Sequence, residues 1–144
     1  MAEFTSNALQ TVTENQNVVF TETTVPCNRG YILHREGSGI ITIRGIVNNS
    51  CGCFARYKIS FGANIAVPTT GTAGPISVAL AIDGEAVPTS QSIVTPTATG
   101  AFWNVYDSLY VTVPRGCCYT ISVQNTSDQT IEVQNANIIV ERTA

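Results

Sequence analysis

Apolar and polar residues alternate with a period of two along most of this chain, and the phase is clearest near its end. Tyr119, Ile121 and Val123 place apolar side chains on odd positions of the stretch Tyr119 to Asn125. A polar turn follows, Thr126-Ser127-Asp128-Gln129. Ile131 and Val133 keep the odd phase, whereas Ala136, Ile138 and Val140 fall on even positions. A one-residue slip turns a strand's side chains to the opposite face unless an extra residue absorbs it, so the slip predicts a β-bulge near Asn135. The last strand runs almost to the final residue and is expected to be needed for the core.

The same period recurs upstream. Asn17 to Thr21 reads as a first strand, Pro26 to Gly30 as a turn, and Tyr31 to His34 with Ile40 to Arg44 as a hairpin closed by Glu36-Gly37-Ser38-Gly39. Ala55 to Phe61 alternates cleanly, with Tyr57, Ile59 and Phe61 inward and Arg56, Lys58 and Ser60 outward. Pro68 to Pro75 is a loop by composition. Ile76 to Ile82 is aliphatic on one face and Ser/Ala on the other. Asp83-Gly84 predicts a two-residue hairpin, and Pro88 in the return strand points to a sheet edge. Phe102 to Val113 is apolar on both faces: Trp103, Val105, Leu109, Val111 and Val113 share one, and Phe102, Tyr106 and Tyr110 the other. Asp107-Ser108 is expected to kink it. Eight to ten short strands, with no helical period, predict an all-β, two-sheet antiparallel jelly-roll sandwich. Residues 15–144 read as one domain. Met1 to Glu14, polar and with little strand pattern, reads as a docking arm that orders on binding a partner.

Composition sharpens this picture. Of 144 residues, 44% are hydrophobic but only 12% charged, about half the usual share for a soluble domain. Surface of that kind fits a subunit interface, whose centre is depleted of charge. The doubly apolar strand supplies one, since a sandwich strand normally turns one face to solvent. Phe102, Trp103, Tyr106 and Tyr110 are therefore the expected interface residues. A net charge of −3 and scattered basic residues argue against nucleic-acid and membrane-surface partners. No apolar run is long enough to span a bilayer as a helix. The first residues lack the basic and apolar regions of a secretion signal.

Little of the sequence points to chemistry. The five cysteines are Cys27, Cys51, Cys53, Cys117 and Cys118. Neither Cys51-Gly52-Cys53 nor the adjacent Cys117-Cys118 has the two-residue gap of a zinc knuckle, so no metal site is expected. Buried structural thiols are the simplest reading. The alternative is a disulfide joining Cys27 or the Cys51/Cys53 pair to Cys117 or Cys118. An odd count leaves one thiol without a partner inside the chain. The single histidine, His34, sits beside a predicted turn and reads as a hydrogen-bonded structural residue rather than a catalytic base. Asp83 and Glu85 are explained by the turn they flank. No catalytic residue, cofactor or metal ligand is assigned. Asn48 and Asn125 begin glycosylation-type triplets but read as turn residues.

The stretch Ile76 to Ala144 is similar to the C-terminal jelly-roll domain of the collagen-like spore-surface glycoproteins of Firmicutes, a branch of the C1q and tumour-necrosis-factor-like (TNF-like) fold. The likeness rests on Val78-Ala-Leu-Ala-Ile-Asp-Gly-Glu-Ala-Val-Pro88, the strand after it, and a final hairpin ending in Ile138-Ile-Val-Glu-Arg142. It implies a ten-strand jelly roll that assembles as a homotrimer, with the terminal strand central in the inner sheet. The chain departs from that pattern in having no Gly-X-Y stalk. A stand-alone jelly roll also resembles capsid decoration and fibre-head proteins of tailed bacteriophages. The resemblance therefore implies a non-enzymatic structural protein on a virion surface, with a major capsid protein as partner. The alternatives are a spore- or cell-surface module and a carbohydrate-binding adhesion domain that stacks surface glycans on its aromatics.

Overall fold

The computed structural model describes residues 1–27, 30–45 and 52–143. Among these are twelve strands: β1 (Ala2–Ser6), β2 (Gln10–Val12), β3 (Glu22–Val25), β4 (Ile32–His34), β5 (Ile41–Arg44), β6 (Phe54–Ala66), β7 (Ile76–Ile82), β8 (Glu85–Ala86), β9 (Ser92–Val94), β10 (Trp103–Pro114), β11 (Cys118–Asn125) and β12 (Ile131–Arg142). They form two antiparallel sheets. The inner sheet runs β10-β6-β12-β1-β3, with β2 also on β12; the outer runs β4-β5-β11-β7-β8, with β9 also on β7. From β5 to β7 and again from β10 to β12, the long strands alternate between the two sheets, which is the jelly-roll winding.

The core fills the space between the sheets and follows from the period-two pattern. Along β6, Ala55, Tyr57, Ile59, Phe61, Ala63 and Ile65 are buried, facing Ile41, Ile43, Val78, Leu80, Ile121 and Val123 of the outer sheet. Phe20 meets Phe61 edge to face at 6.4 Å, a favoured arrangement of aromatic quadrupoles. Tyr57 is fully buried and donates its hydroxyl to the Arg44 carbonyl. Burial, the largest influence, raises its pKa.

Several expectations hold in detail. The strand β12 lies centrally, between β6 and β1. Its pairing with β6 shifts between Gln134 and Asn137, and Asn135 takes φ 56°, so the bulge absorbs the phase slip at the expected place. Asn135 is suited to left-handed backbone, and its amide bridges Asn64 on one side and Asn7 on the other. Replacing it with valine should cost about 2 kcal/mol, the strain of a β-branched residue at positive φ. Glycine should cost less than half of that, and urea midpoints of the two variants provide the comparison. Asp83 and Gly84 take φ 53° and 85°, the two positive angles of a type I′ hairpin turn.

Other expectations are corrected. Met1 to Glu14 is no free arm, because it contributes β1 and β2 to the inner sheet. Ala2, Phe4, Ser6 and Val12 are buried, and β1 pairs with β12 from Ala2↔Val140 to Ser6↔Ala136. The jelly roll therefore includes residues 2–14. Asp107-Ser108 does not kink β10, whose register against β6 is continuous from Trp103↔Ile65 to Pro114↔Phe54. Asn17 to Thr21 forms only isolated bridges, Asn17↔Gln124 and Phe20↔Ser38, although Val18 and Phe20 are fully buried. The return strand β8 lies at the sheet edge, as Pro88 indicated, but it ends at Ala86, and Pro88 itself begins a 3-10 turn, Pro88–Ser90. The Ser90 hydroxyl receives the Leu80 N–H at 3.0 Å, standing in for a ladder partner where β8 has ended.

Candidate functional site

The inner sheet ends at β10, which pairs in that sheet with β6 alone. Its odd-numbered residues Val105, Asp107, Val111 and Val113 are buried, and its even-numbered residues point away from the core. On that outer side Tyr106 and Tyr110 are each 62% exposed; Phe102 and Trp103, where the strand begins, are 42% and 49% exposed. The structure thus leaves all four predicted interface aromatics exposed, three on the edge strand β10 and Phe102 immediately before it. Trp103 shares the parity of the core residues but lies at the end of the sandwich.

Tyr106 lies beside β6. Its cross-strand neighbour is Gly62, and a Cβ built there would lie 4.0 Å from the tyrosine ring and 3.1 Å from the Asn137 side-chain oxygen. The ring is in ordinary contact distance of that position, and it is the Asn137 oxygen that glycine accommodates. Hydrogen bonds from Ser60 and then Ser108, with Lys58 adding its charge, lower the Tyr106 pKa below the ordinary tyrosine value. An exposed tyrosine ring, with only two side-chain torsions to fix, makes a contact surface at small entropic cost.

Beneath this face lies a buried carboxylate that the sequence did not single out. Asp107 is only 7% exposed; one carboxylate oxygen accepts from the Ser92 hydroxyl at 2.6 Å, and the other is buried with no hydrogen-bond partner among the described residues. Ser92 is on β9, so this contact ties the outer sheet to the edge of the inner one. Burial raises the Asp107 pKa, with the Ser92 hydrogen bond opposing it. A raised carboxylate pKa means that the folded state holds its proton more tightly than the unfolded chain. The ionised group therefore weakens the fold at pH 7, and stability is recovered as pH falls through the raised pKa toward 3.8. Asp107→Asn should stabilise the protein at pH 7 by about 1–3 kcal/mol, the penalty of an unsatisfied buried group. The advantage should shrink as pH falls toward 4, measured by denaturant titration across that range.

The other candidates resolve into structure. His34 stacks on Phe4 at 4.4 Å, and its Nε2 bonds the Ser38 carbonyl at 2.9 Å. Asp83 accepts from the Thr120 N–H at 2.9 Å and the Thr120 hydroxyl at 3.1 Å, fastening the turn to β11. Asn125 is fully buried and donates to Val12 and Gln129 carbonyls at 3.0 Å each, which leaves its amide committed to the turn. Cys53, Cys117 and Cys118 are exposed thiols rather than buried or bridged ones, because each lies where a strand starts or a turn closes, outside the core. Cys27 is half-buried; Cys51 and Asn48 lie outside the described residues. Among the described residues, no cluster of His, Cys, Asp or Glu is arranged to hold a metal ion.

No protein-family model matches the chain. No curated protein matches it in sequence. Solved structures do match in fold. Murine APRIL at pH 5.0 superposes with a TM-score of 0.61 at 11% identity, covering 97% of this chain and 96% of that one. The PRD1 vertex protein P5 gives 0.53 at 12% identity, over 99% and 96%. The globular domain of zebrafish complement 1qA protein gives 0.51 at 12% identity, over 96% and 94%. The chain is an all-β, two-sheet jelly roll with the fold of the TNF-like and C1q globular domains.

Proposed function

We propose that this protein is a non-enzymatic structural module that assembles as a homotrimer and decorates a larger particle, a phage capsid in the first instance. The observation that carries this reading is the exposed aromatic face of β10 on an edge of the inner sheet. Tyr106 and Tyr110 are each 62% exposed on that face, with Phe102 and Trp103 at 42% and 49% where the strand begins. On a chain with so little charge, these are the residue types that form the desolvated centre of interfaces. In the trimer this face packs against a neighbouring subunit around the threefold axis. The outer sheet and the loops at its ends are left to meet a major capsid protein at the virion surface. The fold match with the PRD1 vertex protein supports the virion over the alternative of a spore or cell surface.

A carbohydrate-binding adhesion domain is the second reading, favoured by the same tyrosines, because exposed rings also stack on sugars. The two differ in what covers the rings. Trp103 is the only tryptophan, so fluorescence reports one site. In the trimer its emission should be blue-shifted, and dilution that dissociates the assembly should shift it to the red. If dissociation leaves the emission unchanged while an added surface glycan shifts it, the adhesion reading replaces this one.

A further inference from the structure

The exposed thiols gather at one end of the sandwich. Cys53 immediately precedes β6 where Phe54 pairs with Pro114, and its carbonyl accepts from the Arg115 N–H at 3.0 Å. Cys117 closes the turn that follows β10: its N–H donates to the Pro114 carbonyl at 3.1 Å, and its carbonyl accepts from Gly45 at 2.8 Å. Cys118 opens β11 directly opposite Arg44. Residues 2 and 143 lie at the same end, since Ala2 pairs with Val140 and Thr143 donates to the Arg56 carbonyl at 2.8 Å. Pro114 lies four positions beyond Tyr110, the nearer of the two exposed tyrosines, about 13 Å along an extended strand, and eight positions beyond Tyr106, so the thiols sit past the end of the aromatic surface.

We propose that this end is a disulfide cross-linking site that joins copies of the chain through Cys53, Cys117 and Cys118. Three observations support it. Cysteine is among the most buried residue types, yet three thiols here are exposed and share one pole. The five cysteines of the sequence are an odd number, so they cannot all pair with one another inside one chain. Adjacent residues entering a strand point to opposite sides, so at most one of Cys117 and Cys118 can face a given thiol of the same chain and the other is directed away from it. A second copy supplies what a foreign partner need not, the same thiols at the same pole.

The chemistry is thiol–disulfide exchange with a small disulfide such as oxidised glutathione. A thiolate of one copy attacks a glutathione sulfur, forming a mixed disulfide and releasing one glutathione thiolate. A thiolate of the second copy then attacks the protein sulfur of that mixed disulfide and releases the second glutathione. Two protein thiols are oxidised, one glutathione disulfide is reduced to two thiols, and the two protein protons go to solvent or to the leaving thiolates. Arg44 opposite Cys118 and Arg115 beside Cys53 place positive charge where the anionic oxidant approaches. A reducing cytosol keeps such thiols open, and oxidising surroundings close them, so the cross-link forms after the protein leaves a reducing cell.

The test treats the full-length protein with oxidised glutathione and separates it without reductant under denaturing conditions. The expected products run at two and more times 15.3 kDa, collapse with reductant, and map by peptide mass to Cys53, Cys117 or Cys118. The combined Cys53→Ser, Cys117→Ser and Cys118→Ser variant should stay at the single-chain mass, and each single variant should lower the cross-linked fraction. Single-chain protein carrying glutathione adducts or an internal bond overturns the proposal, as do links that map to Cys27 or Cys51. The Tyr106→Thr, Tyr110→Thr protein separates this inference from the trimer. Cross-linking retained in that variant supports a polar site independent of the aromatic face, and cross-linking lost places the bonds inside the trimer that face builds.

Discussion

Replacing Tyr106 and Tyr110 together by threonine should leave a folded chain that no longer assembles. Both side chains stand on the outer side of β10 and are mostly exposed, so their removal opens no cavity in the core. Threonine keeps the strand propensity of the position. Buried tyrosines at the centre of an interface typically contribute 2 kcal/mol or more each when truncated. Two of them together therefore weaken association by about a thousandfold, at 1.4 kcal/mol per factor of ten. The variant should sediment as a monomer at concentrations where the parent is assembled, with an unchanged far-UV circular dichroism spectrum. Full assembly in the double variant would mean that the contact lies elsewhere on the sandwich.

Removing residues 1–14 should abolish the fold. Strand β1 lies between β12 and β3, so its loss strips β3 of its partner and bares one edge of β12. The deletion also takes Ala2, Phe4, Ser6 and Val12 from the interior and leaves the Phe4 face of His34 open to water. Phe4→Ala alone should cost about 3–5 kcal/mol, the usual penalty for emptying a phenylalanine site. That is a large part of the ~5–15 kcal/mol holding a typical domain together. The truncated protein should therefore show no cooperative thermal transition, and Phe4→Ala should lower the urea midpoint sharply. A truncated chain that melts cooperatively near the parent Tm would restore these residues to the role of a separable arm.

The same two regions show what was legible in the sequence. Strong alternation with bulky residues reads directly: Tyr57, Ile59 and Phe61 point inward as expected, and the shift of phase at Asn135 marks a real bulge. The strand β6 runs on to Ala66 past Gly62, which looks like a break and instead lets the Asn137 side chain approach closely. β1 escapes notice because its buried set is Ala2, Phe4 and Ser6, two of them weakly hydrophobic, and its pairing with β12 comes from the far end of the chain. Asp107 reads as a kink because a carboxylate is unexpected on a buried face. Its Ser92 partner lies fifteen residues away, on a strand of the other sheet. The aromatic face was legible as an interface candidate because both sides of one strand are apolar. The exposure of the thiols was not, since it depends on which end of the sandwich the turns occupy.

If, as proposed, further copies of the same chain cover the exposed face of β10, static light scattering of the purified wild-type protein in reductant, at tens of micromolar, should give a mass three times that of the 15.3 kDa chain. A mass equal to one chain would show that the face stays uncovered.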